Sequence, residues 1–225
     1  MMGRRLEAEV MDTRRDAVEY DGMDFTEPNT KFAVDALALL DRREAPSVLD
    51  LGCGTGQIAM LMAQRNPALQ ILAVDLAYEM IRLGVEKVAK AGLAASIRME
   101  RQDVKALRVP DASFDLVICN STAHHVPEPI VLFKEIARVA KPDAAILVRD
   151  LIRPLSEEEA WATVKRVAAA DHPHQQQLFF DSLCAALALD EVEAAVKEAG
   201  LRGMRIARVS DRHWTAERRT GIPVR

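Results

Sequence analysis

Val48-Leu49-Asp50-Leu51-Gly52-Cys53-Gly54-Thr55-Gly56-Gln57 joins a short apolar run to three alternating glycines, and a helical pattern starts near Gln57. A continuously apolar run of this length is the pattern of a strand buried on both faces. Glycine allows a sharp backbone turn and close approach by a ligand, because no Cβ stands in the way. The helix beyond begins with free N–H groups and a partial positive charge. The stretch therefore reads as a ligand loop at the carboxyl end of a first parallel strand, where open α/β sheets bind their ligands.

Outward from this loop the same alternation repeats. Strand-like runs occur at Ser47–Leu51, Gln70–Asp75, Ser96–Asp103, Phe114–Asn120 and Ala144–Asp150. The third alternates apolar and polar residues and is expected to be more exposed. Helical patterns fill about 56–66, 77–91 and 128–141, with Asn66-Pro67 and Lys141-Pro142 ending the first and last. Strands separated by crossover helices imply a parallel sheet covered on both faces. Residues 1–43 read as two helices broken near Asp21-Gly22 and Pro28, and 154–200 read as helical too. Ser156-Glu157-Glu158-Glu159 has the form of a capping box, and Asp190 with Glu193 repeats the device with an acidic cap. Met204–Val209 and Trp214–Arg218 suit a closing antiparallel hairpin.

Composition bounds the function. The chain has 225 residues, 49% hydrophobic and 28% charged, which is the range of globular domains. Its net charge of −4 argues against a general affinity for nucleic acid. Seven arginines against Asp211 and Glu217 make the 201–225 stretch locally basic, and a solvated hairpin accounts for that. No apolar run reaches the ~18 residues that cross a bilayer, and no secretory signal is visible. Cys53, Cys119 and Cys184 are scattered and odd in number, so neither a disulfide framework nor a CxxC metal knuckle is expected. A cytoplasmic protein, monomeric or homodimeric, follows as the expectation.

Two ligand readings compete for the loop. Gly54-Thr55-Gly56-Gln57-Ile58-Ala59 satisfies the dinucleotide pattern G-x-G-x-x-A, which would suit an NAD-dependent oxidoreductase. It leaves Gly52 and Cys53 as extra loop residues, and it puts Asp50 beside a pyrophosphate. The wider string Asp-x-Gly-x-Gly-x-Gly suits S-adenosylmethionine (SAM) better, since Asp50 can meet the amino-acid part of that cofactor.

VLDLGCGTGQIA resembles motif I of the class I SAM-dependent methyltransferases. The resemblance continues through AVDLAYEM (73–80), RQDV (101–104), SFDLVICNSTAHHVPEP (113–129) and KEIARVAKPDAAILVRD (134–150). It is nearest to the small-molecule branch that includes the quinone-biosynthesis C-methyltransferases. It implies a Rossmann-like seven-stranded sheet, mostly parallel, with an antiparallel C-terminal hairpin strand and helices on both faces. It also implies SAM as cofactor and S-adenosylhomocysteine as product. By this likeness Asp50, Gly52, Gly54 and Gly56 lie beside the methionine part of SAM. Asp75, followed by Leu76, would accept both ribose hydroxyls, which takes a carboxylate with two acceptor atoms. Met80 would lie near the adenine, Asp103 would accept from its amino group, and the Val104 N–H would meet the ring. Asn120 and Ser121 would face the methyl group, and Tyr20 and Met23 would belong to an N-terminal lid. The sequence departs from the family at Ala77, where a capping Ser is frequent, and at Asp143-Ala144, in place of two glycines.

On this reading residues 1–225 form one methyltransferase domain: an N-terminal helical lid (1–43), a SAM-binding core (44–153), a helical substrate lid (154–189), and a last helix with the hairpin (190–225). Methyl transfer needs mainly alignment of the nucleophile, about 3 Å from the methyl carbon, so few residues need be catalytic. The candidates are Asn120, His124 and His125, with Arg153 and Phe179 in the substrate pocket. No metal ligand set is assigned, since His172 and His174 stand without a nearby acid or Cys constellation. Asn120-Ser121-Thr122-Ala123 is not the Asn-Pro-Pro-Tyr of adenine-N6 and glutamine methylation, and no Pro-Cys pair exists for cytosine C5. The 154–189 segment holds five acids against Lys165 and Arg166, so a small molecule is the expected acceptor. A nucleic-acid or protein methyltransferase, and a SAM-binding regulator without catalysis, are the alternatives.

Overall fold

A computed structural model describes residues 2–7, 12–41 and 43–221. After an arm at 2–7 come α1 (Arg14–Asp21) and α2 (Thr26–Leu39). The core alternates β1 (Ser47–Leu51), α3 (Gln57–Arg65), β2 (Gln70–Asp75), α4 (Tyr78–Lys90), β3 (Ile97–Arg101), β4 (Phe114–Asn120), α5 (Pro129–Val139) and β5 (Ala140–Leu151). Helices α6 (Glu157–Val167), α7 (Pro173–Ala185) and α8 (Leu189–Glu198) follow, and β6 (Arg205–Arg208) and β7 (His213–Arg218) end the sheet. The strand order is β3-β2-β1-β4-β5-β7-β6. Strands β1 to β5 pair in parallel, while β7 runs antiparallel to both β5 and β6. This is the seven-stranded Rossmann-like sheet expected from the sequence.

The apolar runs are strands because both sheet faces are covered. Leu49, Leu51, Val117, Cys119, Ile146 and Val148 pack on one face against α5 and α8 residues such as Phe133, Ile136 and Val192. Val48, Leu116, Ile118 and Leu147 pack on the other against Phe32 and Ala36 of α2 and Met62 of α3. β3 is an edge strand: Ile97 and Met99 turn to the core, while Arg98 and Glu100 share the other face with Arg98 exposed; this is why its sequence alternates.

Several boundaries differ from the sequence reading. Pro28 does not break a helix: it occupies the first turn of α2, where no intrahelical N–H is required. Residues 2–7 have no regular secondary structure rather than a helix, and the helix expected across 8–11 lies outside the described residues. β5 starts at Ala140, earlier than expected. Lys141-Pro142-Asp143 fall in an irregularity where pairing passes from Phe114↔Ala140 to Leu116↔Ala145, and Pro is tolerated in a sheet at such a place. The Ser156 cap is present, its hydroxyl accepting from Glu159 N–H. For α8, however, the cap position is Ala188 rather than Asp190, and Glu191 rather than Glu193 reaches back, accepting from Ala188 N–H at 2.9 Å.

Candidate functional site

The order of the sheet reverses at β1, whose neighbours are β2 and β4. Register pairs Leu51 with Val74 and with Cys119, so the glycine loop leaves β1 between Asp75 on one side and Asn120 on the other. The N–H groups of Gly52 and Cys53 both donate to Val74 O, at 2.8 and 3.0 Å, and fasten the loop to β2. Gly52 adopts φ +69°, and a Cβ there would lie 2.1 Å from Thr122 Oγ1. Only glycine fits both constraints.

Asp50 ends in this crevice. It is 2% exposed, and its Oδ2 has no hydrogen-bond partner among the described residues. Burial, and after it the charge of Asp75, push its carboxyl up to about 7. A buried carboxylate oxygen without a donor is costly, and an incoming ammonium group would satisfy it. Asp75 is arranged differently: Oδ2 accepts from Gly54 N–H at 2.8 Å and Oδ1 from Ala77 N–H at 2.9 Å. Burial raises its carboxyl, and these bonds work against the rise. Each oxygen keeps acceptor capacity for a ligand hydroxyl.

A cavity of about 50 Å³ opens beside the loop. Its walls include Tyr20, Met23, Asp50, Gly52 and Asn120 from the expected set, together with Cys53. The sequence reading missed Asp21, Thr55 and Lys87, which also line it. Thr55 Oγ1 donates to Asp21 Oδ1 at 2.6 Å, and the same carboxylate pairs with Lys87. This ties α1 to the loop and to α4. Tyr20 lays its ring 3.4 Å from where a Gly54 Cβ would be. Although 37% of Tyr20 is exposed, burial around its phenol and the charges of Asp75 and Asp50 push it up to about 12. The hydroxyl therefore stays protonated.

The side expected from the sequence to meet the adenine, around Ala77 and Met80, is covered by α1. Ala17 packs on Ala77 and Met80, and Asp12 Oδ1 accepts from Glu79 N–H at 3.0 Å. Asp12 thus caps α4 in place of the Ser absent at Ala77. Asp103 is turned to its own turn, accepting from Lys105 N–H at 2.9 Å with Lys105 Nζ at 3.1 Å. Val104 is buried in the core, and the Leu76 carbonyl accepts from Arg101. Ser121 is exposed with φ +53°, an unfavourable conformation for a residue with a side chain, at the mouth of the crevice.

The expected acceptor residues divide. Asn120 reaches the cavity, but His124 and His125, in a short 3-10 turn at Ala123–His125, do not line it. His124 is 3% exposed; its Nδ1 lies 2.6 Å from Asp150 Oδ1, and its Nε2 lies 3.3 Å from Glu7 Oε1. Burial opposes the imidazolium, yet Asp150 and Glu7 hold His124 above its ordinary value. Arg153 does not face the cavity; it is buried, donating to Glu191 Oε1 at 2.7 Å and to Ala186 O. Phe179 packs at the edge of the α6–α7 cluster, where Trp161 stacks on Phe180 at 4.4 Å. His172 caps α7 through its Nδ1, which accepts from His174 N–H. The unforeseen element is the arm. The Arg4 guanidinium donates to the carbonyls of Ala185, Pro127, His124 and Val126, and Arg5 N–H donates to Cys184 O.

Residues 49–148 match the family described as methyltransferase domain. The chain is 27% identical over 175 residues to 27-O-demethylrifamycin SV methyltransferase of Amycolatopsis mediterranei, covering 78% of this chain and 61% of that protein. It is 33% identical over 112 residues to the ubiquinone/menaquinone biosynthesis C-methyltransferase UbiE of Geotalea uraniireducens, 49% of this chain and 48% of that one. It thus spans less than two thirds of the length of either relative. Among solved structures, a SAM-dependent methyltransferase from Aquifex aeolicus superposes with a TM-score of 0.64 at 20% identity, covering 91% of this chain and 97% of that one. With its glycine loop at the switch point of a β3-β2-β1-β4-β5-β7-β6 sheet, the chain has the fold of a SAM-dependent methyltransferase, and residues 49–148 match the methyltransferase domain.

Proposed function

We propose that the chain transfers a methyl group from SAM to a small-molecule acceptor. The observation that carries this reading is Asp50: its buried, unpartnered Oδ2 faces the cavity next to a loop held open by glycine. Its position suits the α-ammonium group of the methionine part. Asp75 offers two acceptor oxygens at the spacing of a vicinal diol. The Tyr20 hydroxyl, protonated across the physiological range, can donate to a carboxylate or hydroxyl without adding charge. When bound, SAM supplies a methyl group made electrophilic by its sulfonium. The chain's part is then to hold the acceptor in line and to exclude water, with Asn120 at the end of β4 lining the same cavity as Asp50.

Two features favour a small acceptor. The cavity at the carboxyl edge of the sheet is walled by Tyr20 and Asp21 of α1 and Asn29 of α2. The two curated relatives are named for small molecules, a rifamycin and a quinone. Calorimetry with SAM, followed by label transfer from methyl-labelled SAM into fractionated cell extract, tests the proposal. Label in the low-molecular-weight fraction is the expected outcome. Label confined to RNA or protein would refute the acceptor class, and tight SAM binding without any transfer would leave a SAM-binding regulator.

A further inference from the structure

The arm and the 3-10 turn bring together three potential ligand atoms that the methyl-transfer reading does not use. Glu7 Oε1 lies 3.3 Å from His124 Nε2 and 3.2 Å from His125 Nδ1, and all three atoms fall within 4.8 Å of one another. From this geometry we infer that Glu7, His124 and His125 bind a divalent transition-metal ion, with zinc as the best fit. Tetrahedral bonds of about 2.0–2.1 Å place neighbouring ligand atoms about 3.3 Å apart, which is the spacing of both Glu7 contacts. Two imidazoles and one carboxylate form a donor set suited to zinc and poorly suited to magnesium, which takes an octahedron of oxygens.

The surroundings are those of a prepared ligand set. The Asp150 carboxylate accepts from the backbone N–H groups of His124 and Leu151, at 3.1 and 2.7 Å, and sits 2.6 Å from His124 Nδ1. That contact fixes the ring and keeps a proton on Nδ1, so that Nε2, once a metal ion displaces its proton, turns its lone pair toward Glu7; carboxylates orient metal-bound histidines in this way. Ser182 Oγ donates to Glu7 Oε2 at 3.1 Å and holds the other carboxylate oxygen. Glu7 Oε1, the atom facing both imidazoles, is buried and accepts no hydrogen bond among the described residues. One cation would bind that oxygen and both ring nitrogens together. It would also clasp the arm to the turn that follows β4, the strand whose end carries Asn120.

The test uses the full chain, dialysed against dipicolinate and then titrated with zinc chloride against a chromophoric chelator. One tight equivalent of zinc per chain is expected, and cobalt(II) in its place should give the visible absorption of a tetrahedral site. Glu7→Gln keeps the shape and the Ser182 contact, and His125→Asn alters a side chain that is 30% exposed. Each should weaken zinc binding at least tenfold while the circular dichroism spectrum stays that of wild type. Zinc should raise the melting temperature of the wild type and leave that of Glu7→Gln unmoved. Failure of the wild type to take up zinc would overturn the assignment. So would equal zinc uptake by both variants, which would point instead to His172 and His174.

Discussion

Asp50→Asn removes the ionisable group from the centre of the crevice and keeps its shape. The carboxyl is displaced from an ordinary value of 3.8 to about 7 in the cofactor-free protein. At 1.36 kcal/mol per pKa unit this is about 4 kcal/mol against the ionised form. The sign follows from proton counting. Between pH 4 and 7 the native state keeps a proton that the unfolded chain has released, so stability falls as pH rises through that window and levels off above it. The Asn variant has no such slope at this site. Urea denaturation of the cofactor-free proteins should therefore give similar stabilities near pH 4. At pH 8 the variant should be more stable, by up to about 4 kcal/mol. Binding should move the other way. A ligand ammonium needs the carboxylate, so below pH 7 SAM binding should release a proton, seen as a buffer-dependent enthalpy in calorimetry. Asp50→Asn should lose that release and bind SAM more weakly. A stability difference independent of pH, or undiminished SAM affinity in the variant, would refute the assignment of Asp50 as a strained, ligand-awaiting acid.

Asp75→Ala should lower SAM affinity at least a hundredfold by calorimetry, because it removes the diol acceptor. It also leaves the Gly54 and Ala77 N–H groups without their partner, costing about 1–3 kcal/mol for each one left buried and unsatisfied. Gly52→Ala should lower the melting temperature markedly, since its Cβ would meet Thr122 and the backbone is left-handed; an unchanged melt would mean that the loop can re-form elsewhere. Arg4→Ala deletes the donors to four carbonyls and should free the arm, so that limited proteolysis cuts before residue 12 well before the core is touched. Lys87→Met should weaken the hold of Asp21 and Thr55 on α4, loosen α1, and speed SAM association in stopped-flow measurements. An unchanged association rate would show that α1 does not gate entry.

The legible and the illegible parts of this chain separate by sequence distance. Val48–Gln57 declared a strand, a glycine turn and a helix start, because burial on both faces and freedom at φ are local demands on residue type. The same locality exposed Gln70–Asp75, the Phe114–Asn120 strand and the hairpin. Boundaries slipped where a local signal had a non-local answer. Pro28 suggested a break, yet in the first turn of a helix it costs nothing. Pro142 suggested a turn, but pairing with β4 carried the strand through it as an irregularity.

Asp50, Asp75 and Asn120 could be named as neighbours because parallel strands deliver their carboxyl ends to one edge. Their states could not be named. Whether Asp50 finds a donor, whether Tyr20 covers the loop, and whether Asp12 supplies the cap that Ala77 lacks depend on how α1 returns to the sheet. No spacing in the chain records that. Arg153 and His124 show the same limit: both sit at the right edge of the sheet, but Glu191 claims one and Asp150 with Glu7 the other. The sequence alone determined the alternation, the loop and the acids Asp50, Asp75 and Asp150 near the ends of β1, β2 and β5, since these follow from burial and backbone geometry within a few residues. Only the tertiary structure decided that the arm crosses the turn after β4 and brings Glu7 to two histidines, because that contact depends on side chains far apart in the chain meeting in one buried place.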